Sequence, residues 1–96
     1  MNVFMDDIRN PEYYHHGYTE WVVVRTVEQT WNLLKTGRVE QLSLDHDMGN
    51  SQLTGYDLLC IMEEHNVWSK HIPFVHSMNP VGRQRMQQVI DRKYRK

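Results

Sequence analysis

Acidic and imidazole side chains follow three short apolar runs in this chain. Val3-Phe4-Met5 leads into Asp6-Asp7, Leu42-Ser43-Leu44 into Asp45-His46-Asp47, and Pro73-Phe74-Val75 into His76-Ser77. If the runs are parallel strands, all of those polar groups emerge at one edge of one sheet, the carboxyl-end crevice where open α/β folds bind ligands. Four carboxylates gathered there repel one another unless a cation lies between them. Hard divalent ions such as magnesium or manganese take carboxylate and water oxygens and reach phosphates through their remaining positions. The pattern points to a metal-assisted phosphate site with Asp6, Asp7, Asp45 and Asp47 as the expected ligands.

Adjacent side chains on extended backbone point opposite ways, so a turn must begin at Asp6-Asp7 for both to face the crevice. Asp45 and Asp47, one residue apart, can aim the same way with His46 between them. His76-Ser77 precedes Asn79-Pro80, a preferred N-cap followed by proline in the first helical position. A helix start offers free amide hydrogens and partial positive charge to an anion, and Arg83 can add a bidentate clamp. His76 at this edge is a candidate general acid toward a leaving oxygen, because imidazole titrates near neutrality.

Each motif also has a plain structural alternative. An acidic pair makes a turn or cap, and a histidine at a strand end bonds a neighbouring loop. His15-His16 could bind metal or substrate but fits a mobile polar loop better, and His65 and His71 read as surface residues. Tyr13, Tyr14 and Tyr18 could stack on a base or simply cover a small core.

The elements that must carry these residues are legible in order. Met1 to Met5 is short and apolar, as expected of a strand buried on both faces. Asn10 to Thr19 contains Pro11 and Gly17, lacks helical periodicity and reads as a loop. Trp21 to Val24 is a second, β-branched strand. Thr26 with Gln29 resembles a capping box opening a helix with Val27, Trp31 and Leu34 inward, ended by Gly37. Leu42 to Leu44 is the third strand and Gly49-Asn50-Ser51-Gln52 a loop. Thr54 caps a helix to about His65, with Leu58, Leu59 and Met62 on one face.

Ile72 to Val75 is the fourth strand, with Pro73 at an unpaired or edge position. The last helix turns Met86, Val89 and Ile90 inward and its basic residues outward. Trp31 and Trp68 are expected to pack against the sheet. The alternation predicts an α/β fold of three layers, a four-stranded, mostly parallel sheet with helices on both faces and right-handed crossovers. Only the first link lacks room for a well-formed helix.

Ninety-six residues without a repeat or low-complexity linker predict one domain over 1–96. A net charge of −1 excludes a global field toward nucleic acid or membrane. The basic residues from Arg83 to Lys96 form a local flank, read first as a solvated helix face. Cys60 is the single cysteine, so internal disulfides and four-cysteine zinc sites are excluded. It is expected to be an inert buried thiol. No signal-peptide pattern or membrane-length apolar run is present, so a cytoplasmic protein is expected.

At these residues the chain resembles a receiver domain of two-component signalling, and more closely the cyclic-phosphate processing receiver family. The resemblance rests on Phe4-Met5-Asp6-Asp7-Ile8-Arg9, on Leu42 through Gly49, on Thr54-Gly55-Tyr56-Asp57 and on His76 through Gly82. It implies a truncated receiver or flavodoxin-like fold with a divalent ion, Mg2+ or Mn2+, held by Asp6, Asp7 and Asp45. Asp47, His46, His76 and Ser77 would complete the pocket, with Asn79 and Arg83 near a phosphate; Arg9 is a further substrate-binding candidate.

The chain departs from signalling receivers in one respect. No fifth strand follows the last helix, so the lysine expected at its end is missing, and Lys70 precedes strand four. Phosphorylation-driven switching is therefore disfavoured, and the extra Asp47, His46 and His76 look like equipment for hydrolysis. The expected function is a metal-dependent phosphoesterase acting on a cyclic phosphate of a nucleotide or RNA end, with Asp45, His76 and His46 catalytic. The partner is then a phosphate-containing small molecule or nucleic-acid end. Alternatives are a non-catalytic module binding a cyclic nucleotide, a receiver used for protein interaction, and a nucleic-acid-cutting fold.

Overall fold

The computed structural model describes residues 1–15, 17, 20–49 and 53–95. The residues His16 and Tyr18, and the loop residues Asn50, Ser51 and Gln52, lie outside the described residues. Among the described residues four strands are formed, β1 (Asn2–Met5), β2 (Val22–Val24), β3 (Gln41–Leu44) and β4 (Phe74–Val75), and three α-helices, α1 (Val27–Leu34), α2 (Gly55–His65) and α3 (Pro80–Tyr94). All three strand pairings are parallel and the sheet order is β2-β1-β3-β4. The strand order reverses between β1 and β3, and ligands of open α/β sheets bind at such a switch point.

The helix boundaries follow from their caps. Thr26 accepts a hydrogen bond from the Gln29 amide, while Gln29 reaches back to the amide of Arg25 rather than to that of Thr26. Thr54 and Asp57 form a complete capping box, each side chain accepting from the other's backbone N–H. Asn79 caps α3 through the Gly82 amide at 3.0 Å, with Pro80 in the first position. Pro73 is buried and stays just outside the two-residue β4 ladder, consistent with its missing amide hydrogen.

The two faces of the sheet are covered differently. Val3, Met5, Val24, Leu42 and Leu44 join Val27 and Leu34 of α1, Leu58, Leu59 and Met62 of α2, and Met86, Val89 and Ile90 of α3 in one buried core. Trp31 and Trp68 pack at its margin, as does the half-buried Cys60. The opposite face presents the cross-strand row Val23, Phe4, Ser43, Phe74. There the expected second helical layer is replaced by the loop after β1, whose one regular piece among the described residues is a 3-10 turn over Pro11–Tyr13. Tyr14, His15 and Trp21 from that loop and its exit surround Phe4.

Right-handed crossovers explain the asymmetry. The step from β1 to β2 runs opposite to the steps from β2 to β3 and β3 to β4, so its connection falls on the other face. That connection holds Pro11 and Gly17, and aromatic rings fill the space that a helix would cover. Among the described residues no helix is long and apolar enough to cross a membrane.

The capping box sets where α2 begins, directly behind Asp45. Replacing Thr54 by Ala removes both of its hydrogen bonds and is expected to cost about 1 kcal/mol, roughly 4–8 °C in Tm for a domain of this size. Thr54→Ser should stay near wild type, both read by thermal denaturation.

Candidate functional site

Met5 pairs with Leu44, and the Asp45 amide donates to the Met5 carbonyl at 3.0 Å. That register makes Asp6 and Asp45 neighbours at the switch point. The turn required after β1 is made by Asp6 itself. Its Oδ1 accepts from the amides of Ile8 at 2.9 Å and Arg9 at 2.8 Å, so the backbone bends and Asp7 follows Asp6 into the same crevice. Asp6 is 1% exposed, and its Oδ2 lies 3.1 Å from His76 Nε2. One ligand atom each from Asp6, Asp45 and His76 lies within 4.8 Å of the others. A cavity of about 310 Å³ opens on the cluster, lined by Asp6, Asp7, Asp45, Asp47, Arg9 and Met78 among others. A larger cavity, about 510 Å³, opens at the amino end of β1 around Asn2 and Trp21, away from these groups.

Asp45 is partly buried, and one oxygen accepts from the His46 amide at 2.8 Å. Loss of hydration, reinforced by the charges of Asp6, Asp7 and Asp47, raises its pKa from 3.8 to about 6. Four carboxylates and one guanidinium, Arg9, are among the groups lining this cavity, an excess of negative charge that a cation relieves. Two carboxylates and an imidazole within reach of one point form a donor set that fits a divalent ion.

His76 is held on every side. Its ring stacks on Phe4 with centroids 4.3 Å apart, and Nδ1 lies 2.7 Å from Ser43 Oγ. Ser43 Oγ in turn lies 2.9 Å from His15 Nε2. With Asp6 accepting from Nε2–H, Nδ1 accepts from the Ser43 hydroxyl, whose oxygen accepts from His15 Nε2–H. Burial outweighs the attraction of Asp6 and lowers the His76 pKa to about 4. Its ring is therefore neutral at pH 7, which does not suit the general acid expected from imidazole's ordinary titration range.

The other expected residues divide between places. Asp47 is exposed at the rim, where His46 Nδ1 lies 2.8 Å from it and the Asn79 amide group approaches at 3.4 Å. His46 does not line the acidic cavity; its ring lies against the first turn of α3. A Cβ on Gly82 would come within 2.4 Å of that ring, so only glycine admits this contact. Gly55 likewise leaves room for the Asp45 carbonyl. Ser77 is buried, and its hydroxyl accepts from the Asn79 amide. Ser77 and Arg83 line a neighbouring cavity rather than the acidic one. Arg9 lines the acidic cavity while its guanidinium donates to Tyr14 and lies 4.7 Å over Tyr13.

Ser43 and His15 were not singled out for this chain of contacts by sequence. The available signal was a lone hydroxyl inside a strand buried on both faces, since a buried polar group must find a partner. Nothing in the spacing of Ser43 names His15 or His76 as that partner.

A short parallel sheet with acids meeting at the β1/β3 switch defines a receiver-like α/β protein. The family described as Cyclic-phosphate processing Receiver domain matches residues 1–92, and the chain belongs to it. No curated protein and no solved structure matches the chain.

The raised pKa of Asp45 has a stability consequence in metal-free protein. The folded state holds this proton more tightly than the unfolded chain, so the favourable contribution is complete below about 3.8 and lost as pH rises through about 6. The full shift corresponds to about 3 kcal/mol, and screening at this half-exposed carboxylate reduces it to about 1–2 kcal/mol. Asp45→Asn should therefore be more stable than wild type by about that amount at pH 7 in EDTA and equal to it near pH 4. Denaturant titrations at the two pH values decide this; a less stable variant at pH 7 would refute it.

Proposed function

We propose that this chain is a divalent-metal-dependent phosphoesterase acting on a cyclic phosphate of a nucleotide or RNA end. The observation that carries the reading is the convergence of Asp6, Asp45 and His76 ligand atoms within 4.8 Å at the switch point of the sheet. The family's description, cyclic-phosphate processing, supplies the substrate class. Asp6, Asp45 and His76 would hold the ion, with Asp7 and Asp47 reaching it through water. Mn2+ suits the site better than Mg2+ where the imidazole is a ligand, because nitrogen donors favour transition metals. When bound, such an ion polarises phosphoryl oxygens and acidifies water.

The chain's own residues then have separable tasks. Asp7 and Asp47, at the cavity wall, would orient the attacking water and take its proton, which then passes to the ring oxygen released as its bond to phosphorus breaks. Arg9, anchored through Tyr14, offers guanidinium hydrogens to non-bridging oxygens. His46 acts as a positioning residue that fixes Asp47, and His76 serves as a ligand rather than as a protonated acid, giving up its Nε2 contact with Asp6 when the ion is held. A ligating His76 offers the Nε2 lone pair, so Nδ1 carries the proton and donates to Ser43, which donates to His15. Asp45 is the alternative nucleophile, since one of its oxygens is committed to the His46 amide and the other is available.

The dry setting of His76, buried with Nε2 against Asp6 and Nδ1 against Ser43, favours a second reading, a module that binds a cyclic phosphate without cleaving it. Burial lowers the pKa of that imidazole, which disfavours the imidazolium that would protonate a leaving oxygen.

Purified protein with Mn2+ should hydrolyse at least one of a panel of 2′,3′- and 3′,5′-cyclic nucleotides. EDTA should abolish turnover, and Asp6→Asn and Asp45→Asn should each lower it at least 100-fold. Metal-dependent binding without turnover at any pH selects the module instead. Ser43→Ala should weaken Mn2+ binding about 10-fold through loss of the bond that orients His76, measured by calorimetry on protein whose circular dichroism is unchanged.

A further inference from the structure

Beside the acidic cavity lies a second one of about 360 Å³, and the two share Met78. His76 is the partition: it lines the second cavity while its Nε2 meets Asp6 in the first. Tyr14 belongs to the second cavity and accepts a hydrogen bond from Arg9 of the first. The remaining lining is mostly aromatic and apolar with the Ser77 hydroxyl among it, Phe74 being 49% and Met78 64% exposed and the His15 ring edge-on to Phe74 at 5.4 Å. Arg83 from the first turn of α3 reaches the same cavity, and among the described residues it is in no ion pair.

We propose that this second cavity is a nucleobase subsite, seating the planar base of a substrate whose phosphate lies at Asp6 and Asp45. The proposal rests on the phosphoesterase reading and adds where the base of that substrate sits. Several features of the cavity match a base better than a sugar or a peptide side chain. Phe74 offers a half-exposed ring and Met78 a flexible thioether, set beside Tyr14 and His15, whose rings are braced by His76 and Trp21; such polarisable aromatic contact stacks on any base. The apolar lining with a few convergent polar groups is that of a small-molecule site. Arg83 adds a planar cation that can stack or donate to a ring carbonyl or nitrogen. The loop that replaces the missing helical layer supplies Tyr14 and His15, so the wall of this subsite exists because that face lacks a helix.

The test compares adenosine 2′,3′-cyclic phosphate with ethylene cyclic phosphate, which has the strained phosphate and no base, on the full chain in Mn2+. The base-bearing compound should bind at least about 10-fold more tightly, and Phe74→Ala should bring that ratio toward one. Adenosine alone in EDTA should shift the NMR signals of His15 and Phe74 and leave those of Asp45 and Asp47 unmoved. Equal binding of the two cyclic phosphates overturns the subsite and leaves the phosphoesterase reading intact. A ratio that survives Phe74→Ala also overturns it. Failure of both cyclic phosphates to bind, while adenosine still moves His15 and Phe74, overturns the phosphoesterase reading and supports the cavity as a base site.

Discussion

Asp6 and Asp45 are forced together by the pairing of β1 with β3, and the rest of the site depends on that enforced repulsion. A register one residue away would turn the two carboxylates to opposite faces of the sheet and take either Val3 and Met5 or Leu42 and Leu44 off the helix-backed core face. Burial of those four side chains therefore holds the register, and the register holds the acids. The hydrophobic core outweighs the electrostatic cost at the edge. Asp45 shows that cost in its raised pKa. Sites that bind cations are often built this way, less stable empty than a neutral replacement would be.

The second determinant is the unequal covering of the sheet. One face is an ordinary helix-backed core, and the other is a row of Val23, Phe4, Ser43 and Phe74 beneath an aromatic loop. His76 lies between Phe4 and Tyr14, with ring centroids at 4.3 and 4.6 Å. Dry surroundings keep its ring neutral although a carboxylate is 3.1 Å away. Desolvation wins because both partners are nearly inaccessible to water. A neutral imidazole between a carboxylate and a serine is suited to orienting and ligating. The same loop that dries His76 forms the wall of the second cavity.

Membership of the cyclic-phosphate processing receiver family agrees with this architecture. The reversal of strand order gathers acidic side chains at the ends of β1 and β3. Asp47, Asn79 and Gly82 tie the β3 edge to the start of α3. The contacts of the capping residues thus serve the site as well as the helices.

Strands, helices and caps were legible because they rest on local rules. Alternation, β-branching, Thr54 with Asp57 and Asn79-Pro80 each act within a few residues, and the structure places those elements within one or two positions of expectation. The convergence of Asp6, Asp7, Asp45 and Asp47 on one cavity was also readable, because parallel strands deliver their ends to one edge. The Ser43 link from His76 to His15 was not, since it joins side chains 28 and 33 residues apart that share only a buried space. Sequence likewise grouped Ser77 and Arg83 with the acids, and packing sent them to the adjoining cavity. What the chain alone determined was the order of elements and the chemistry at their ends, both set by short-range backbone preferences. Tertiary structure alone decided which nitrogen meets which oxygen and how dry each pair is, because those depend on the relative placement of a loop and a sheet that no local rule specifies.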